Sequence, residues 1–221
     1  MRGYEEYFEE IQMLVQCNTD PVMAVACRKA ARDFFEQTQV WKYTAPTIKE
    51  RDGRSHYELS LPEETEIAGV VSMLRDGRLM TSEGIETVLS TATGSGTPTQ
   101  YYRQGLSLQL NRSPSDLKII QPILILKPSY DSTGIENDHF ADRFRDVIMS
   151  GAIGYLLAMP HKMWSMPQHA PMHFAKFNEG VVEARRETLG YTDGRPQEVE
   201  YPYSAREFVT TGRRGGKRGG Y

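Results

Sequence analysis

Two cysteines in 221 residues, Cys17 and Cys27, are too few for a disulfide framework. No CxxC pair occurs, so both thiols are expected as small packed apolar groups in a reducing compartment. Long hydrophobic runs are missing as well. The longest, residues 123–126 and 152–159, fall far below the roughly 20 residues a bilayer span needs, and no membrane role is expected. The first ten residues, MRGYEEYFEE, are acidic and aromatic with no apolar stretch behind a basic flank, which argues against a secretory signal. Charge of one sign is lacking too: 26 basic against 29 acidic residues leave a net charge of −3, which does not announce a nucleic-acid binder.

Motifs for chemistry are equally scarce. There is no GxxxxGK[ST], and Gly94 and Gly96 precede Pro98 rather than a helix that could cradle phosphate. No GxSxG is present, and neither cysteine is read as having a nearby His or basic cluster that would lower its pKa. His169 and His173 have the helical spacing of a shared metal site. The residues between them are Ala170, Pro171 and Met172, with no base and no third ligand at hand, so an outward-facing pair without metal is expected. The acid pairs Glu5-Glu6 and Glu63-Glu64 read as solvated surface. The expectation is a protein that is not an enzyme and carries no cofactor.

What is present is periodicity. Tyr4, Phe8, Ile11, Leu14 and Val15 recur at helical spacing, and Asp20-Pro21 is a start signal for a second helix reaching Trp41 along Val25, Ala26, Ala30, Phe34 and Thr38. From Lys42 the period changes to two. Residues 57–61, 67–74, 101–110 and 119–126 read as strands, with Asp76-Gly77 as a hairpin turn and Pro122 marking an edge or a bulge. Residues 81–92 suggest a short helix. The helical period returns with Asn137 or Asp138 as cap, runs from Phe140 through Phe144 and Leu156 to Met159, and resumes from Pro167 to Leu189 with Phe174 and Phe177 inward. The expected fold is α+β: a helical bundle from the N- and C-terminal helices (1–41 and 135–190), an inserted antiparallel β region (42–134) and an extended C-terminal tail (191–221). Phe34, Phe144, Leu156, Phe174 and Phe177 are its expected core.

The tail combines aromatic residues, Tyr201, Tyr203 and Phe208, with a basic end in which Arg213, Arg214, Lys217 and Arg218 stand among glycines before Tyr221. Such a composition cannot fold alone. Three readings remain open: a frayed terminus, a non-specific contact to nucleic acid, or an extended docking segment with aromatic anchors.

Several passages resemble the head-to-tail adaptor (connector) proteins of tailed, short-tailed bacteriophages. They are the helix from Ala30 through Phe34, Phe35 and Thr38 to Trp41, the Leu59-Ser60-Leu61-Pro62 ending, the Gly154 to Pro167 passage around Trp164, and Phe174 to Arg185. The resemblance runs through most of residues 20–190; the Arg/Gly end is not part of it. It implies a non-enzymatic virion protein at the head–tail junction, made in the host cytoplasm. In that reading the subunits form a ring, typically dodecameric, that joins the portal protein to a tail tube or nozzle protein, and genomic DNA passes through the channel. It further implies that Tyr201, Tyr203, Phe208, Arg213, Arg214, Lys217, Arg218 and Tyr221 dock onto the portal. The competing expectation is a nucleic-acid-binding accessory protein acting through the Arg/Gly end.

Overall fold

The computed structural model describes residues 1–91 and 94–189. Strand β1 (Arg2–Gly3) leads through a 3-10 turn, Tyr4–Tyr7, into helices α1 (Phe8–Val15) and α2 (Asp20–Thr38). Strands β2 (Lys42–Thr44), β3 (Ile48–Lys49), β4 (His56–Glu58), β5 (Thr65–Arg75), β6 (Arg78–Leu79) and β7 (Thr81–Ser82) follow, then the short helix α3 (Ile85–Ser90). After β8 (Ser95–Gly96), β9 (Gln100–Gln104), β10 (Ser107–Leu110), β11 (Ser113–Pro114), β12 (Ile119–Pro128) and β13 (Gly134–Ile135) come α4 (Asp138–Arg143), α5 (Arg145–Ala158) and α6 (Ala170–Thr188).

The expected helical bundle carrying an inserted antiparallel β region is not what forms. The five-stranded sheet, β2-β12-β5-β6 with β3 also on β12, is a wall of the principal core rather than an excursion from it. Leu124 and Leu126 of β12, with Trp41, Ala45 and Leu59, join one buried cluster with Phe34, Phe35, Ile148, Leu156 and Phe177 of the helices. The physical reason is the run of apolar residues in β12: such a strand must be covered, and α2 covers it. Nor is the β region wholly antiparallel, because β7 pairs with β9 and β11 with β8 in parallel. A second, smaller core of Tyr57, Met73, Met80, Tyr101, Leu108, Leu110 and Ile120 lies under the four-stranded sheet β4-β10-β9-β7.

Local departures have local causes. Helix α2 starts on the Thr19 carbonyl, which accepts from Val22 and Met23, and it stops at Thr38 because Gln39 turns left-handed (φ 56°). Trp41 is thereby folded back onto Phe35 and Phe140. The single helix expected over 140–159 is broken at Phe144 (φ −105°), leaving α4 capped by the Asn137 side chain, which accepts from the Phe140 N–H at 3.3 Å. Residues 101–110, read as one alternating strand, are a hairpin turning at Gly105 (φ 59°). Pro122 lies on the central strand, not an edge. Its missing N–H is harmless because β2 pairs with 123–125 and β3 with 119–120, leaving Pro122 opposite the gap, and a register shift follows at Ile123/Leu124. The Asp76-Gly77 turn joins β5 to β6 with both residues at positive φ, 50° and 75°.

Helices α5 and α6 run as a tightly packed antiparallel hairpin. A Cβ on Gly151 would fall 2.7 Å from the Phe177 ring, and one on Gly154 would fall 2.9 Å from the Phe174 ring, so only glycine admits these aromatics. Helix α2 packs on both, and Phe34 meets Phe144, Phe35 and Phe177 with ring centroids at 4.7, 5.3 and 6.4 Å. Residues Leu14 and Val25, read from periodicity as inward, instead face solvent.

Candidate subunit-docking surface

The connector between α5 and α6, residues 159–169, is held by backbone hydrogen bonds: Met166 N–H donates to Leu157 O at 3.0 Å and Ser165 N–H to Lys162 O at 3.0 Å. His161 takes positive φ (58°) where the chain turns. This rigid turn leaves Met163 fully exposed (100%) and Met166 half exposed, while Trp164 folds back against the core with its indole N–H buried and unpartnered. Helix α6 then carries Met172, Ala175, Glu179, Val182 and Arg186, with Leu189 just past its end, at alternating steps of three and four. That spacing makes one outward seam, the geometry by which a second helix is received. A shallow groove of about 490 Å³ follows it past Asn178 and Glu183.

A second apolar patch sits on α1. Its Ile11 and Val15 face the core, and Met13 and Leu14 are 80% and 60% exposed beside the acidic Glu5 and Glu9. Arg145 fixes this helix to α5, donating from Nη2 to Glu10 and to the Glu6 carbonyl, each at 2.6 Å. Helices α1 and α6 both rest on α5 and α2 and have at most marginal contact with each other, so the two patches belong to different parts of the helical layer. Large exposed apolar side chains in contiguous patches are what interaction surfaces are made of.

The outer face of α2 is cationic but committed. Arg28 Nε donates to Ser132 O at 2.8 Å, Lys29 lies 4.1 Å over the Tyr155 ring, and Arg32 stacks on Tyr130 (3.7 Å) while donating to Glu66 (3.0 Å). Burial opposes charge on Glu66, but hydrogen bonds from Arg32 and the Tyr130 N–H outweigh it and hold the carboxyl below its usual range. In the β region Arg75 grips Glu50 through two hydrogen bonds (2.7 and 2.8 Å) and Asp116 at 2.8 Å, and Lys118 N–H donates to Glu50 at 2.9 Å. Glu50 is fully buried there, and the Glu50 hydrogen bonds are the largest cause that raises the Arg75 guanidinium pKa. These are ties that hold loops, not open sites.

Phe34, Leu156, Phe144 and Phe177 are buried, and Phe174 is half-buried against Gly154 and Tyr155. Tyr201, Tyr203, Phe208, Arg213, Arg214, Lys217, Arg218 and Tyr221 lie outside the described residues. His169 is exposed, and burial, then Lys176 and His169, push the His173 imidazole pKa down. Among the described residues no three of His, Cys, Asp and Glu gather as metal ligands, and no helix is long and apolar enough to cross a membrane. Cys17 and Cys27 are buried, and burial pushes the Cys27 thiol up to about 12. The exposure of Met13, Leu14, Met163 and Val182 escaped the pattern reading. Their signal was an apolar residue on a face otherwise given to charge, visible for Val182 beside Glu183 but masked for Leu14 by neighbouring core positions. Set against known proteins, the sequence matches no family model and no curated protein.

Proposed function

We propose that this chain is a structural, ring-forming subunit of a tailed-phage virion, a head-to-tail adaptor that joins portal to tail around the DNA channel. One observation carries the reading: two sets of exposed apolar side chains, Met13/Leu14 on α1 and Met163/Met172/Val182 on the connector and α6, carried by helices that have at most marginal contact with each other. A ring closes through heterologous contacts, which require two different surfaces on each subunit, whereas a two-fold dimer needs one. The sequence passages that resemble the adaptors supply support from another side: Ala30 to Thr38 falls in α2, and Gly154 to Arg185 covers the α5–connector–α6 hairpin that displays one of the patches. The near-neutral charge of the whole chain suits a channel along which DNA slides without being held.

Light scattering on the protein alone and mixed with portal rings tests this. A ring mass on portal, lost in Met13→Glu and in Val182→Glu while both variants keep the wild-type circular dichroism, is the expected result. A chain that never adds to portal overturns the adaptor reading, and rings that ignore both substitutions overturn the assignment of the two surfaces.

A further inference from the structure

Helix α6 presents more than apolar side chains to solvent. Met172, Val182 and Leu189 are exposed along its outward seam, and Glu179 and Arg186 stand on the same stripe. Lys176 and Glu183, both exposed, follow Ala175 and Val182 and so flank the seam on one side, two turns apart. Among the described residues the one ion pair of α6 is Glu187 with Arg143, which ties its end to α4. Lys176, Glu179, Glu183 and Arg186 meet no opposite charge there. An apolar stripe with charges set in and beside it is the layout of a helix–helix contact, in which the charges choose the partner and its direction.

We infer that the partner of this seam is α6 of a second copy, laid antiparallel across a two-fold axis. Along the seam, Met172, Glu179 and Arg186 hold one repeat position, and Ala175, Val182 and Leu189 hold the other. An antiparallel pair sets one kind of position against the other. Met172 then meets Leu189, Ala175 meets Arg186 and Glu179 meets Val182, each contact made twice by symmetry. The small Ala175 leaves room for the Arg186 stem, and the Arg186 head lies one turn, roughly 6 Å along the axis, from Glu179 of the second copy. Flanking positions of one kind also face each other in such a pair. Lys176 comes to within roughly 3 Å, along the axis, of the level of Glu183. A parallel pair in register would instead set Glu179 against Glu179 and Arg186 against Arg186, which like-charge repulsion opposes. The charges therefore admit one direction and reject the other. This pairing does not rest on the virion reading. It belongs to the chain outside any ring, and a copy that entered a ring through this seam would first release its mate.

Sedimentation of the full chain from roughly 1 µM to roughly 1 mM tests this. The wild type passes from monomer to dimer as concentration rises. Lys176→Glu sets like charges opposite each other in the pair, and Glu183→Lys does the same. Each raises the dimer dissociation constant about tenfold with circular dichroism unchanged, since both side chains are exposed. Mixed in equal amounts, the two single variants pair with each other as the wild type does, because one then carries only anions and the other only cations at these positions. The double variant, carrying both substitutions, again pairs with itself. A wild type that stays monomeric, single variants that dimerise unchanged, or a mixture that recovers nothing overturns the proposal. So does loss of the dimer in Met13→Glu, which puts α1 of the second copy on the seam instead. No portal enters these measurements, so a failed ring assay leaves the pair standing, and a failed pair leaves the ring assay to be judged alone.

Discussion

The two cores of this protein are held by different physics. In the helical layer, size and shape do the holding: phenylalanines from three helices meet over glycines that a methyl group would block, and few polar groups take part. Around the smaller core, charge does as much as packing: the buried Glu50 binds Arg75, which reaches Asp116, and Glu50 also takes the N–H of Lys118. Small cores buried between short strands have little apolar area to offer, so a fixed ion network supplies the definition that packing cannot. Strand β12 belongs to both, with Ile120 in the smaller core and Leu124 and Leu126 in the larger.

Phe34→Ala gives the largest expected loss, about 4 kcal/mol, because the ring is fully buried among three other rings and the cavity cannot close. The shared strand makes a second expectation: denaturation stays a single transition. Trp41 in the larger core and exchange of the Leu108 amide in the smaller should report the same midpoint. Two separated midpoints would show that the cores fold independently, and the contrast between them would then be one between domains.

Arg75→Met should cost about 3 kcal/mol, since it strands the buried Glu50 carboxylate without a partner. The pair Arg75→Met with Glu50→Leu should recover most of that loss, because an apolar pair of similar volume needs no charge compensation. Urea midpoints of the single and double variants decide it. If the double variant is no better than the single, the network supplies more than charge balance.

Asn137→Ala removes the side-chain cap of α4 and should lower stability by about 1 kcal/mol, read as a shift in urea midpoint. It probes the place where the helical pattern was misleading. Residues 140–159 keep helical spacing through Phe144, but spacing does not register a break in φ, and the fault lies at Phe144 itself. The helical positions of Phe34, Leu156 and Phe177 were legible because their periodicity is long and regular. The wall formed by β12 was not, because an apolar run such as Ile123–Leu126 says that it must be covered and not by what. Leu14 and Val25 failed for a related reason: on a narrow helix a one-position error in the stripe moves a side chain from core to solvent.

The smallest effect sharpens the contrast on the charge side. Asp116 is exposed, and the hydrogen bond from Arg75, ahead of the opposing desolvation, holds its carboxyl below the usual range. A carboxyl whose folded pKa lies below its unfolded value contributes stability above the unfolded value, near 3.8 here, and loses it as pH falls through the folded one. Asp116→Asn should therefore unfold somewhat earlier than wild type in urea at neutral pH, with the two curves converging in acid and the difference shrinking in high salt. Phe34→Ala should show no such convergence, because nothing it removes titrates. A constant gap between Asp116→Asn and wild type down to the most acid point would mean that Asp116 holds its loop through backbone geometry alone, and the smaller core would owe its charge-built character to Glu50 and Arg75 only.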